Sequence, residues 1–216
     1  CYNDGSLSEI IRRGWSCVMI EYEIGPMQPE ERKQLEAMKD DKFVREFVGV
    51  WNSWKGWENY NPVVAARVDT CEVLGFNAHI ISKVGYINVV YTWVHPDHRE
   101  VGLATDMLDY TLFEGLNRGA SRLKLRSAKD GNSFYFWSFC GLVPIAESDK
   151  EYFYDLSLDG ITDIHSLKEL GSVGATSVTP DKRTLNAYLK LNKLGIEGLM
   201  FTHPAWTHLN EVNNGK

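Results

Sequence analysis

Val94-His95-Pro96-Asp97-His98-Arg99-Glu100-Val101-Gly102-Leu103-Ala104 is the stretch whose reading decides the fold. A strand-like run over residues 85–94 leads into it, because Ile87, Val89, Tyr91 and Trp93 alternate with Tyr86, Asn88 and Thr92, an apolar face against a mixed one. Beyond it Leu103, Met107, Leu108, Leu112 and Leu116 recur at helical spacing as far as Gly119, a helix stop. Between the two, Arg99, Gly102 and Ala104 stand at the spacing R-x-x-G-x-[GA]. Such a turn wraps backbone N–H groups around an anion and runs straight into a helix N-terminus, whose unpaired donors and positive dipole end favour negative charge. The stretch therefore points to a phosphate-bearing ligand.

Outward from it, residues 16–24 form a β-like run stopped by Gly25 and Pro26. Pro29 suits a first helical position, with Glu30 and Glu31 in the first turn, and helical character continues to Val50 with a break at Asp40 and Asp41. Residues 63–69 and 72–82 read as paired strands turning at Asp69 and Thr70. After the central helix, residues 121–127 alternate again, an aromatic helix runs from Gly131 to Cys140 and stops at Gly141, and strands follow near 142–147 and 151–158. The order β, α, α, β, β, β, α, β, α, β, β is that of an α+β domain over residues 1–158. From Asp159 the pattern becomes mainly helical, with helices expected at 163–170 and 179–194, so residues 159–216 read as an appendage.

With 216 residues the chain buries a sizeable core without staples. Lys plus Arg number 23 against 29 Asp plus Glu, a net charge of −6, so no global basic field gathers nucleic acid, and a nucleic-acid partner is not favoured. The four cysteines, Cys1, Cys17, Cys71 and Cys140, form no C-x-x-C pair and read as reduced thiols of a cytoplasmic protein. No apolar run approaches the ~20 residues that span a bilayer, so no membrane association is expected.

The turn, its flanking strand and helix, the next strand, and an aromatic helix closing at Gly141 and Leu142 together resemble the GNAT superfamily of N-acyltransferases over about residues 16–158. The resemblance implies a mixed, mainly antiparallel sheet flanked by helices, with acetyl-coenzyme A as acyl donor. It places Arg99, Glu100, Val101, Gly102, Leu103, Ala104 and Thr105 at the pyrophosphate and the backbone of Trp93 and Val94 at the pantetheine arm, where an amide polarises the thioester carbonyl. Trp137, on the aromatic helix, falls near the cofactor's sulfur. The activity implied is direct attack of an amine on the thioester. No metal is expected, since Pro96 separates His95 from His98 and no third ligand lies near them in sequence.

Several positions depart from that pattern. Where many relatives carry a glutamate base the chain has Asn88, and an amide takes no proton near neutral pH. Where they carry a tyrosine acid it has Trp137; Tyr135 lies two residues earlier, a rotation of about 200° around a helix. Asp130 is a helix cap or an unorthodox base, and Tyr86, Asn88 and Thr92 share a face suited to the acceptor cleft. Catalytic candidates are thus Asn88, Tyr86, Tyr135 and Asp130. Glu100 and Val101 replace small and basic loop residues. Trp51, Trp54 and Trp57 form a stripe that is either core or a wall for an aromatic acceptor, and the overall acidity suits a cationic amine. Arg122, Lys124 and Arg126 line one strand edge, a solvated face or a phosphate contact. Two other functions stay open: a non-catalytic acyl-coenzyme A binding or interaction module, and a GNAT-fold transferase using another activated donor such as aminoacyl-tRNA. Oligomeric state is also open, a homodimer included.

Overall fold

Pro29 opens the first helix as its fixed φ and missing N–H allow, and Gln28 completes a capping box by donating its N–H to Glu31 Oε2 at 2.7 Å. The computed structural model of the chain describes residues 20–38, 40–53, 61–129, 133–172 and 200–201. Helix α1 spans Pro29–Ala37 and α2 Lys42–Ser53. The break expected at Asp40 and Asp41 is the N-cap of α2: Asp41 Oδ1 accepts the Val44 N–H at 2.9 Å, and its carbonyl accepts that of Arg45 at 3.0 Å.

The chain folds into two compact units, residues 1–82 with 89–118 and residues 83–88 with 119–216. In the first, β1 (Tyr22–Pro26) pairs antiparallel with β2 (Asn61–Arg67), and β2 with β3 (Val73–Ile81). Strand β1 runs past Gly25 instead of stopping there, because Pro26 still opposes Val63 in register and the missing proline N–H is tolerated at a strand end. Strand β4 (Tyr86–Val94) and helix α3 (Leu103–Asn117) complete the unit, residues 89–94 of β4 belonging to it.

Burial falls on both faces of these strands. Val64, Phe76, Ala78 and Trp93 pack with Leu35 of α1 and Val44 and Phe47 of α2. Val63, Ala65 and Leu74 pack with Leu103 and Met107 of α3. Consecutive residues of β2 thus enter opposite cores, which is why that strand reads as a continuous apolar run rather than an alternating one. A polar seam joins α3 to β3. Asn77 Nδ2 donates to Thr111 Oγ1 at 3.1 Å, and fully buried His79 places Nε2 3.2 Å from Glu114 Oε2. Burial pushes the Glu114 carboxyl up, but His79 and Arg118 beside it outweigh that and hold it below its ordinary value.

In the second unit β5 (Arg122–Ala128), β7 (Glu151–Ser157), β6 (Ala146–Glu147) and β8 (Met200–Phe201) lie in that order, all antiparallel, with helices α4 (Ser133–Phe139) and α5 (Ile164–Ser172). Strand β6 is shorter than the run near 142–147, because Leu142 donates its N–H to Trp137 O at 3.0 Å and Pro144 has none to give. The face carrying Arg122, Lys124 and Arg126 is not a free basic edge. Arg122 and Lys124 sit 2.8 and 3.5 Å from the fully buried carboxylate of Asp155, and the Arg126 guanidinium lies over the Phe153 ring.

The architecture is α+β, mainly antiparallel strands flanked by helices. Helix α5 lies beyond Asp159 and belongs to the second unit. The helix expected over 179–194, Asp130, Trp54 and Trp57 lie outside the described residues, as does the side chain of Trp51. The expectation of reduced thiols fails at Cys71, which is disulfide-bonded. Spacing along the chain does not report which thiols meet in space, and a fold of this size brings distant residues together. Cys140 is a buried free thiol, pushed up to about 12 by burial. No helix among the described residues is long and apolar enough to cross a membrane.

Candidate functional site

The stretch from Trp93 to Thr105 lies within the first unit and begins at the end of β4. His95 donates its N–H to Leu74 O of β3 at 2.8 Å, so the strand is held to its neighbour up to the point where the turn begins. Pro96–His98 then form a single 3-10 turn, capped by His95, whose Nδ1 accepts the Asp97 N–H at 3.3 Å. Arg99 is exposed and turns back, its Nε donating to Val94 O at 3.2 Å.

Next come two residues with left-handed φ, Glu100 at 65° and Gly102 at 97°. Glu100 accepts the strain of that conformation; at Gly102 the missing Cβ removes it, and the space a Cβ would take is open. Gly102 is the N-cap of α3 and has no side chain with which to cap it. The first bond closing the helix is Asp106 N–H to Gly102 O at 3.0 Å. The N–H groups of Leu103, Ala104 and Thr105 therefore find no protein acceptor among the described residues. Asp106, the one acidic side chain of the first turn, faces away into the core, where Tyr22 donates its hydroxyl to Oδ2 at 2.6 Å. These amides, set at the positive end of a 15-residue helix, form a cradle whose unpaired donors suit an anion.

Trp93 and Val94 precede the cradle on opposite faces of the strand, Trp93 in the α1–α2 core and Val94 against the α3 core. Gly75 of β3 lies beneath them: a Cβ there would fall 2.8 Å from Trp93 O and 3.4 Å from Val94 Cα. Only glycine admits that approach. The Trp93 indole stacks on Phe76 and donates its N–H to Asp41 Oδ2 at 3.1 Å, a partnership that sequence reading missed. The signal was present in Asp41 itself, an acidic residue directly before the apolar periodicity of α2.

Of the catalytic candidates, Tyr86, Asn88 and Tyr135 are placed in the second unit. Tyr86 and Asn88, in the first residues of β4, are half-buried, and Lys124 Nζ lies 4.7 Å from the centre of the Tyr86 ring. Thr92, on the same mixed face but in the first unit, has a buried Oγ1 without a hydrogen-bond partner among the described residues. On α4, Trp137 is 5% exposed and Tyr135 72%. The two sit on different sides of the helix, so the phenol does not take the indole's place. His95 and His98 rings lie 5.5 Å apart, centre to centre, and join no further metal-ligating side chain in a cluster among the described residues.

No protein-family profile matches the chain. The solved structures speak to its fold. An acetyltransferase of the GNAT family from Staphylococcus aureus superposes with a TM-score of 0.54 at 16% identity, covering 63% of this chain and 99% of that one. The PaiA N-acetyltransferase of Thermoplasma acidophilum, in complex with coenzyme A, gives 0.52 at 10% identity, over 63% and 98%. A ribosomal-protein alanine N-acetyltransferase of Escherichia coli gives 0.51 at 12%, over 63% and 93%. The fold is that of the GNAT acetyltransferases over about 63% of the chain. In sequence, a branched-chain-amino-acid aminotransferase of Dictyostelium discoideum is 28% identical over 107 residues, 47% of this chain. The chain matches 28% of that relative's length.

Proposed function

We propose that the chain is an acyl-coenzyme A dependent N-acyltransferase, moving an acetyl or related acyl group to an amine. The observation that carries this is the uncapped start of α3, with three amides lacking a protein acceptor behind the left-handed Gly102, on a GNAT fold. The residues fit the group: the loop is exposed, its one glycine opens onto free space, and the helix's own carboxylate, Asp106, is bonded elsewhere. One structure with this fold is a complex with coenzyme A.

In this reading coenzyme A supplies the activated thioester. The amides of Leu103, Ala104 and Thr105 and the α3 dipole bind the pyrophosphate. The backbone at Trp93 and Val94 pairs with the pantetheine arm and aims an amide at the thioester oxygen, where charge develops as the amine attacks. No side chain carries the acyl group. Solvent takes the proton, so the rate comes from proximity and the oriented amide. The acceptor is an amine, aromatic or cationic in character. Incubating the protein with acetyl-coenzyme A and a panel of amines, with thiol release and acceptor mass as readouts, tests this. Acetylated acceptor with stoichiometric thiol release is the expected result; coenzyme A binding with no transfer to any amine contradicts it.

That second outcome belongs to a different reading, a non-catalytic acyl-coenzyme A binding module. It is favoured by Asn88 at the base position and by Trp137, a buried indole whose N–H is far less acidic than a phenol, at the acid position.

A further inference from the structure

We infer that Asp41 is a positioning residue for the pantetheine-binding end of β4, an inference that rests on the coenzyme A reading above. Its two carboxylate oxygens have different tasks. Oδ1 accepts the Val44 N–H at 2.9 Å and so starts α2, while Oδ2 accepts the Trp93 indole N–H at 3.1 Å from the end of β4. One side chain thereby fixes the distance between the start of α2 and the strand position assigned to the thioester.

The surroundings make that bond mechanically relevant. Trp93 is buried, with its ring stacked on Phe76 at 5.8 Å, and Phe76 stacks in turn on Phe47 of α2 at 4.3 Å. Beneath the same residue, Gly75 brings β3 so close that a Cβ would meet Trp93 O at 2.8 Å. The Trp93 peptide is thus held from β3 on one side and through its own side chain from Asp41 on the other. A hydrogen bond to a carboxylate is among the stronger a side chain makes, and this one is shielded by the aromatic stack. The cradle of Leu103 to Thr105, by contrast, is built by the turn and α3 without any contribution from Asp41.

This separation gives the test. Asp41→Asn puts a donor NH2 where one of the two oxygens stood, so in the same rotamer it faces either the Val44 N–H or the Trp93 indole N–H with a donor and keeps only one of the two bonds, and asparagine is as good a cap. Trp93→Phe removes the donor and keeps a ring in the stack. Binding of coenzyme A and of its nucleotide half, 3′-phospho-ADP, is measured by calorimetry on the whole chain for wild type, each variant and the double variant. Asp41→Asn is expected to weaken coenzyme A by about fivefold or more, the scale of one lost charged hydrogen bond felt in part at the ligand, and to leave 3′-phospho-ADP unchanged. The double variant is expected to be no weaker than Trp93→Phe alone, because both changes remove one bond. Equal weakening of the two ligands, or of neither, in a variant that melts cooperatively overturns the inference and leaves the coenzyme A reading standing. If wild type binds neither ligand, the coenzyme A reading falls, and this inference with it.

Discussion

At the scale of single residues, the side chains that composition does not reveal are the charges and polar groups buried beside the apolar cores. Asp155 is fully buried with Arg122 and Lys124 around it, and burial pushes its carboxyl up against their pull. Asp155→Ala leaves two cations facing a buried gap and is expected to cost about 3–5 kcal/mol, read as a lowered urea midpoint. Glu114 acts in the opposite sense. Its folded-state pKa is lowered, so its contribution is present above the unfolded carboxylate range and is lost as pH falls through the folded value. Stability measured from about pH 6 down to about pH 3 should therefore fall more steeply for wild type than for Glu114→Gln, which has no proton to gain. Parallel acid limbs would remove Glu114 from the account. Arg122, Lys124 and Arg126 alternate as a solvated edge would, and nothing in their own spacing announces Asp155, which arrives from β7 thirty-odd residues later.

At the scale of elements, legibility followed local geometry. The strand before the turn, the turn and α3 were readable because alternation, glycine and helical spacing are all local signals, and residues 86–94 and 103–117 adopt the expected forms. Helix α1 was announced by Pro29, whereas the Asp40–Asp41 break was a cap whose second bond, to Trp93, comes from 52 residues away. Strand β1 ran past Gly25 and Pro26 because its partner β2 supplies the register, a tertiary fact that the local stop signal does not contain. The cradle itself gives a prediction at this scale. Gly102→Ala places a Cβ on a residue with φ of 97° and is expected to cost about 1–2 kcal/mol of stability. Relaxation of that strain also turns the α3 amides, so affinity for 3′-phospho-ADP should drop further than stability does. Unchanged nucleotide affinity in a folded Gly102→Ala protein would show that the loop is not the anion site.

At the scale of the whole molecule, the fold matches acetyltransferases of known structure over about 63% of the chain at 10–16% identity, so the likeness is one of backbone shape. What such a likeness preserves is the backbone, and the cradle is made of backbone. That is why the turn was legible in the sequence through Gly102 and the spacing around it, while the chemistry at Asn88 and Trp137 was not: proton transfer depends on side chains, and a shared backbone does not fix them. The central claim is accordingly the donor, and titration calorimetry of the whole chain with acetyl-coenzyme A tests it most directly. The account predicts saturable one-to-one binding, with a matching rise in melting temperature equivalent to about 2.7 kcal/mol at a hundredfold excess over Kd. An absence of both heat and thermal shift at saturating acetyl-coenzyme A would contradict it.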